Sequence, residues 1–155
     1  IKQLPISLHG ARKGEVRTQF AALCDRVKNG KVQVLLVTSR GSKRWIVPKG
    51  WPMEDKTPAQ SAAQEAWEEA GVRGNAADAC IGVYSYAKVL SARDDVPCLA
   101  MLYPLRVKSL ARKFPERDQR RRQWMSRKRA ATRVSEPELA QLILGFEPGK
   151  GNPGA

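Results

Sequence analysis

GWPMEDKTPAQSAAQEAWEEAGV, from Gly50 to Val72, is the stretch whose reading decides the fold. Thr57, Pro58 and Gln60 are the start signals of a helix: Thr at the N-cap, Pro at the first helical position, and Gln closing a capping box. Gly71 is its stop. At about 100° per residue, Ala59, Ala63, Ala66 and Ala70 fall on one narrow stripe. Glu65, Glu68 and Glu69 fall together on another face. The helix is expected to pack closely on its alanine side and to gather negative charge on the other.

Like charges three and four residues apart repel on an ordinary helix, and nothing in the alanine stripe requires them. A hard divalent cation turns that cost into a ligand set, because Mg²⁺ takes carboxylate and carbonyl oxygens. Taken alone, an ExxEE pattern is most often a solvated acidic face. Its spacing from Gly50 is what moves the reading toward a site.

With that spacing the stretch resembles the Nudix hydrolase box, G-x5-E-x7-R-E-U-x-E-E-x-G-U, where U is a bulky aliphatic residue. Gly50, Glu65, Glu68, Glu69, Gly71 and Val72 stand in register with it. Lys56 stands where the loop Glu is expected, Gln64 where the Arg is expected, and Ala66 at the first U. The Arg usually braces the glutamates. With Gln64 in its place, either the bracing is weaker and Gln64→Arg raises turnover or metal affinity, or another residue already supplies it. The segments RWIVPKG (44–50) and RRRQWMSRKRAATRV (120–134) are similar to the diphosphoinositol polyphosphate and dinucleoside polyphosphate hydrolase branch. The resemblance covers roughly residues 16–144, and the fold it implies is an α/β/α sandwich around a mixed β-sheet.

The rest of the chain is consistent with one domain. Its 155 residues are enough to bury a core, and we expect an N-terminal arm over 1–14, a single domain over 15–146 and a disordered tail over 147–155. No apolar run approaches the roughly 20 residues of a membrane span, and no signal peptide is evident. Cys24, Cys80 and Cys98, odd in number and widely spaced, fit buried thiols better than a disulfide framework or a zinc site. A cytoplasmic location is the expectation. The net charge of +13 is concentrated: residues 106–133 carry twelve Lys and Arg against Glu116 and Asp118, hence +10. Such a field calls for a polyanionic partner.

Val16 to Val27 reads as a strand, and Asn29-Gly30 as a two-residue hairpin turn into KVQVLLVT (31–38). Val32, Val34 and Leu36 on one face, with Leu35 and Val37 on the other, make that second strand buried on both sides. Helices are therefore expected on both faces of the sheet. Ser39 to Arg44 reads as a polar turn, WIVP as one short strand and Gly74 to Ala79 as a loop. Cys80–Leu90 and Pro97–Val107 read as strands joined by a turn over Ser91–Asp95. Trp124-Met125 reads as a strand end, Ser126 as the cap of a short helix to Val134, and Ser135 with Pro137 as the start of another that ends at Gly145.

The resemblance implies cleavage of a phosphoanhydride by a metal-activated water. Glu65, Glu68 and Glu69, completed by the Gly50 carbonyl, would hold Mg²⁺ or Mn²⁺, and Glu65 or Glu68 would act as base. No protein nucleophile is required, and His9, the only histidine, lies in the arm. Residues 73–115 contain no Glu, so Glu116 is the nearest candidate for a carboxylate outside the box. Phosphate contacts are expected from Arg17, Ser39, Arg40, Lys49, Lys88 and the run Arg120, Arg121 and Arg122. Trp51, beside the box glycine, is the Trp best placed to stack a base. The expected partner is a polyphosphorylated small molecule, with nucleic acid as the lesser alternative and a catalytically weak ligand sensor as another; oligomeric state is left open.

Overall fold

The computed structural model describes residues 16–89 and 95–149. Residues 1–15, 90–94 and 150–155, and with them the expected arm and most of the turn expected over 91–95, lie outside the described residues. β1 (Arg17–Lys28) is the strand about which the eight-stranded sheet is arranged. It runs parallel to β7 (Asp95–Leu110), with Arg17 opposite Cys98 and Asp25 opposite Arg106. It is antiparallel to β2 (Lys31–Thr38) from Cys24 onward, and to β4 (Lys49–Gly50) at Phe20 and Ala21. β2 also pairs with β3 (Trp45–Ile46) and β8 (Arg122–Ser126), while β7 also pairs with β5 (Val72–Ala76) and β6 (Gly82–Val89). Parallel and antiparallel pairs together make the mixed sheet that was expected.

Strand alternation then assigns the two faces. Ala22, Cys24, Leu35 and Val37 point to α1 (Pro58–Ala70); Ala21, Leu23, Val34 and Leu36 point to the face covered by α2 (Arg127–Arg133) and α3 (Pro137–Gly145). The helix starts read from sequence are present. Thr57 Oγ1 accepts from Gln60 N at 3.1 Å, Gln60 Oε1 accepts from Thr57 N at 2.9 Å, and Ser126 Oγ accepts from Arg129 N at 3.1 Å. The alanine stripe is shifted: Ala59, Ala62, Ala66 and Ala70 are buried, while Ala63 is half-buried. Ala62 replaces Ala63 because the helix also turns Ser61 and Glu69 inward.

Three readings change. WIVP is two strands, since Val47-Pro48 crosses from β2 to β1, where Pro48 O accepts from Ala22 N at 2.9 Å. Proline has no N–H to continue the first ladder. Gly74 belongs to β5, at a bulge next to Arg73, because a Cβ there would run into the Arg106 carbonyl. The glycine that signalled a loop is a close approach between paired strands. α3 is capped at Glu136, which is buried, with no side-chain bond to its own helix, so Ser135 is not the cap. Cys24 and Cys98 are buried free thiols, and Cys80 is half-buried.

Two glycines with positive φ separate backbone strain from crowding. Gly30 (φ +75°) has nothing near its missing Cβ, whereas at Gly71 (φ +67°) a Cβ would meet the Phe114 ring and the Arg122 guanidinium. Gly30→Ala should destabilise by about 1 kcal/mol, the cost of the left-handed conformation. Gly71→Ala should lose about 3 kcal/mol, because overpacking is added to it. Urea unfolding of both variants checks this, and equal losses would contradict the packing around Gly71.

Candidate active site

The C-terminal half of α1, strand β4 and the segment between β7 and β8 meet at one cavity of about 410 Å³. Glu65, Glu69 and Glu116 line it, together with Gly50, Trp51, Lys49, Arg40, Arg120 and Gln19. A Cβ at Gly50 would fall on the Glu65 carboxylate, so a side chain there would displace Glu65 from its present position. A second cavity, of about 530 Å³, shares Gln19, Arg40, Lys49, Glu69 and Arg120 with the first and extends to Ser39, Ser42, Arg44 and Tyr86. The two form one cleft with a carboxylate end and a basic end.

Arg120 sits at their junction with every guanidinium nitrogen directed at the protein. Nε donates to Glu116 Oε1 at 2.9 Å, Nη1 donates to the Thr38 carbonyl at 3.1 Å, and Nη2 lies 3.9 Å from Glu69 Oε1. Its side chain is 8% exposed and that of Glu69 is 6% exposed. A buried carboxylate needs such a partner, because desolvation alone disfavours its charge. Burial pushes the Glu69 carboxyl up to about 8; Arg120 and Lys49 pull it down, and Glu65 and Glu116 push it further up.

The three box glutamates are divided among different partners. Gln64 Nε2 donates to Glu68 Oε2 at 3.0 Å, and the Glu68 carbonyl accepts from Glu116 N at 2.9 Å. Glu68 therefore anchors the segment that delivers Glu116 and lies outside the lining of the cavity. Gln64 braces Glu68, whereas the positive charge that faces Glu69 comes from Arg120 and Lys49.

Among the described residues no three His, Cys, Asp or Glu side chains are already grouped as a metal-ligand set. The chemistry of the cavity's donors nevertheless suits a hard cation. Its carboxylates are those of Glu65, Glu69 and Glu116, no His or Cys lines it, and a divalent ion would relieve the cost of charging a buried Glu69.

The expected phosphate contacts are partly brought together. Ser39, Arg40 and Lys49 line the basic end of the cleft. Ser39 Oγ lies 2.9 Å from Ser42 Oγ and accepts from Arg44 N at 2.9 Å, so the turn is held by its own side chains. Arg40 is exposed and lies 3.9 Å from Glu116, and Lys49 Nζ is 4.9 Å from the centre of the Tyr86 ring. Arg17 is exposed at the start of β1 and lines neither cavity, and Lys88 is a backbone position of β6 whose side chain falls outside the described residues.

The arginine run splits just before and at the start of β8. Arg120 turns to Glu69, while Arg122 Nη1 donates to the Ala70 carbonyl at the end of α1 at 2.7 Å, outside the cleft. Arg121 is exposed, and it is its backbone N that donates to Thr38 Oγ1 at 2.9 Å. Trp51, 41% exposed, stands at the rim, whereas Trp45 and Trp124 pack partly on the core and Trp67 lies under Arg73.

Gln19, Arg44 and Tyr86 were not legible as site residues. Gln19 carried a signal, since it is polar at a strand position whose alternate neighbours Ala21 and Leu23 are buried. Its Oε1 accepts from the Tyr86 hydroxyl.

A family model described as NUDIX domain matches residues 17–144. "Nudix hydrolase 16, mitochondrial" of Arabidopsis thaliana is 36% identical over 125 residues, which are 77% of this chain and 68% of that protein. The human "Diphosphoinositol polyphosphate phosphohydrolase 3-alpha" is 38% identical over 58 residues, covering 37% of this chain and 35% of that protein. The chain spans about half the length of two further Arabidopsis relatives that it matches, Nudix hydrolases 13 and 12. A C. elegans Ap4A hydrolase structure superposes with a TM-score of 0.59 at 18% identity, covering 83% of this chain and 94% of that one.

The raised Glu69 pKa has a signed consequence in metal-free buffer. Up to about pH 8 the folded chain keeps a proton on Glu69 that the unfolded chain releases in the ordinary carboxylate range. In that window the folded state binds more protons, so stability falls as pH rises. Glu69→Gln removes the slope. Its melting temperature should gain on the parent between about pH 5 and about pH 8, and parallel curves would contradict the burial described for Glu69.

Proposed function

Because this chain belongs to the Nudix hydrolase family, as the match across residues 17–144 establishes, we propose that this pyrophosphohydrolase domain cleaves a phosphoanhydride in a substrate carrying more than two phosphates. The observation that carries the reading is the joined cleft, with Glu65, Glu69 and Glu116 at one end and Arg40, Arg44 and Lys49 at the other. A dinucleoside polyphosphate and a diphosphoinositol polyphosphate both fit that polarity. The names of the C. elegans and human proteins point the same way.

Nudix hydrolases generally need a divalent metal ion, and we assign its binding here to Glu65, Glu69 and the Gly50 carbonyl, with Mg²⁺ or Mn²⁺ as the ion. When bound it neutralises phosphate oxygens and lowers the pKa of the attacking water. The chain's own residues do the rest. Arg120 holds Glu69 and Glu116 in place, Lys49 and Arg40 offset the charge of the scissile phosphates, and a cleft glutamate, most simply Glu65, accepts the proton of the water. Ser39 and Arg44 reach the phosphates farther from the scissile bond. Trp51, exposed beside Gly50, offers a face to a nucleobase.

The test is a substrate panel with Mg²⁺ and Mn²⁺, comparing diadenosine polyphosphates, a diphosphoinositol polyphosphate and ADP-ribose. Glu69→Gln should lose most turnover on all of them while remaining folded. Replacing Arg40 and Arg44 together by Gln should lower kcat/KM about tenfold or more for the highly phosphorylated substrates and much less for ADP-ribose, since charge-assisted contacts to distal phosphates are removed. Parental rates in Glu69→Gln would remove the metal assignment. Equal losses across the panel would remove the assignment of the basic end.

A further inference from the structure

The segment that supplies Glu116 and Arg120 to the cleft has a second side. A cavity of about 870 Å³ lies there, lined by Arg112, Lys113, Phe114, Arg117, Arg120 and Arg122, with no carboxylate among them. Like charges gathered in a concave surface repel strongly. Among the described residues the only carboxylate within ion-pair distance of Arg112, Lys113, Arg117 or Arg122 is that of Asp118, 3.7 Å from Arg117 and 94% exposed. Arg122 is the sharpest case. It is half-buried, its partners are the Ala70 carbonyl and the face of Phe114, with its guanidinium carbon 4.9 Å from the ring centre, and burial lowers its pKa.

We infer that this cavity is a second anion site, separate from the catalytic cleft, which takes a small molecule bearing several phosphates. The floor is fixed before any ligand arrives. Phe114 packs against Gly71, Arg122 is tied to the end of α1, and the Ala111 amide donates to the Gly71 carbonyl at 2.8 Å. Arg112, Lys113 and Arg117 stand exposed around it, and guanidinium and ammonium groups so arranged match phosphate oxygens. A compact polyanion suits the site better than a nucleic-acid strand. Its one aromatic ring is covered by Arg122 on one face and packed against Gly71, leaving no platform for bases.

The site also bears on the cleft. Glu116 N donates to the Glu68 carbonyl and Arg120 holds Glu69, so an anion that orders residues 112–117 orders the same segment that presents a carboxylate to the catalytic cavity. Occupancy is therefore expected to steady the cleft rather than block it.

Inorganic tripolyphosphate, titrated into the full chain without divalent metal and at fixed ionic strength, is the probe. Binding is followed by calorimetry and by backbone amide shifts. The expected result is a set of shifts at Gly71, Ala111 and Phe114. Replacing Arg112, Lys113 and Arg117 together by Gln should weaken this binding by about tenfold or more, as loss of three exposed phosphate contacts acting together implies. Removing the same charge from α2, by Lys128→Gln, Arg129→Gln and Arg133→Gln together, should leave it within about twofold, because long-range attraction is screened by salt. Equal losses in the two triple variants would overturn the site and reduce it to net charge. Shifts confined to Gly50, Trp51 and Tyr86 would also overturn it, assigning the anion to the catalytic cleft. Tighter binding of a short single-stranded RNA, lost in both variants, would replace it with a diffuse nucleic-acid surface.

Discussion

A glutamate buried beneath the cleft needs a fixed positive partner, and the arrangement around Glu69 follows from that requirement. Its carboxylate lies on the packed side of α1, where desolvation raises its pKa to about 8. Arg120 answers from the segment before β8, held by the Thr38 carbonyl at the end of β2 and by Glu116 in its own segment. One side chain thus ties together the helix, the central sheet and the segment between β7 and β8. The cavity with Glu65, Glu69 and Glu116 is the space these three elements leave between them.

That tie changes the meaning of the basic segment. Read as a run, Arg120, Arg121 and Arg122 are three equivalent phosphate contacts; in the fold they have three different jobs. Arg120 is committed to carboxylates, Arg122 offsets the carbonyl end of α1, and Arg121 faces solvent. The cations of the cleft come instead from Arg40 and Arg44 in the turn between β2 and β3 and from Lys49 on β4. Of the twelve cations of residues 106–133 only Arg120 lines the cleft, whereas Arg112, Lys113, Arg117, Arg120 and Arg122 line the cavity behind it.

The sequence was most legible where a local rule acts alone. Thr57, Gln60 and Gly71 bounded α1 correctly because capping bonds form within a few residues. Val34, Leu35, Leu36 and Val37 announced a strand buried on both faces because alternation needs no knowledge of the partner strands. It was least legible where distant segments meet. Gly74 signalled a loop because a glycine forced by the Arg106 carbonyl cannot be told from a turn glycine in one dimension. Glu69 looked like its neighbours Glu65 and Glu68, although a rotation of one position along the alanine stripe is enough to bury it. Glu116 could be named because no other Glu lies between the box and residue 116, whereas Gln19 enters the site only through the pairing of β1 with its neighbours.

If Glu65 and Glu69, over Gly50, hold the divalent cation proposed for them, crystals soaked in Mn²⁺ with data recorded at the manganese absorption edge will show an anomalous peak in contact with both carboxylates that disappears in Glu69→Gln. A peak beside Glu68 and Gln64 instead, or none in the cleft at saturating Mn²⁺, would contradict that assignment.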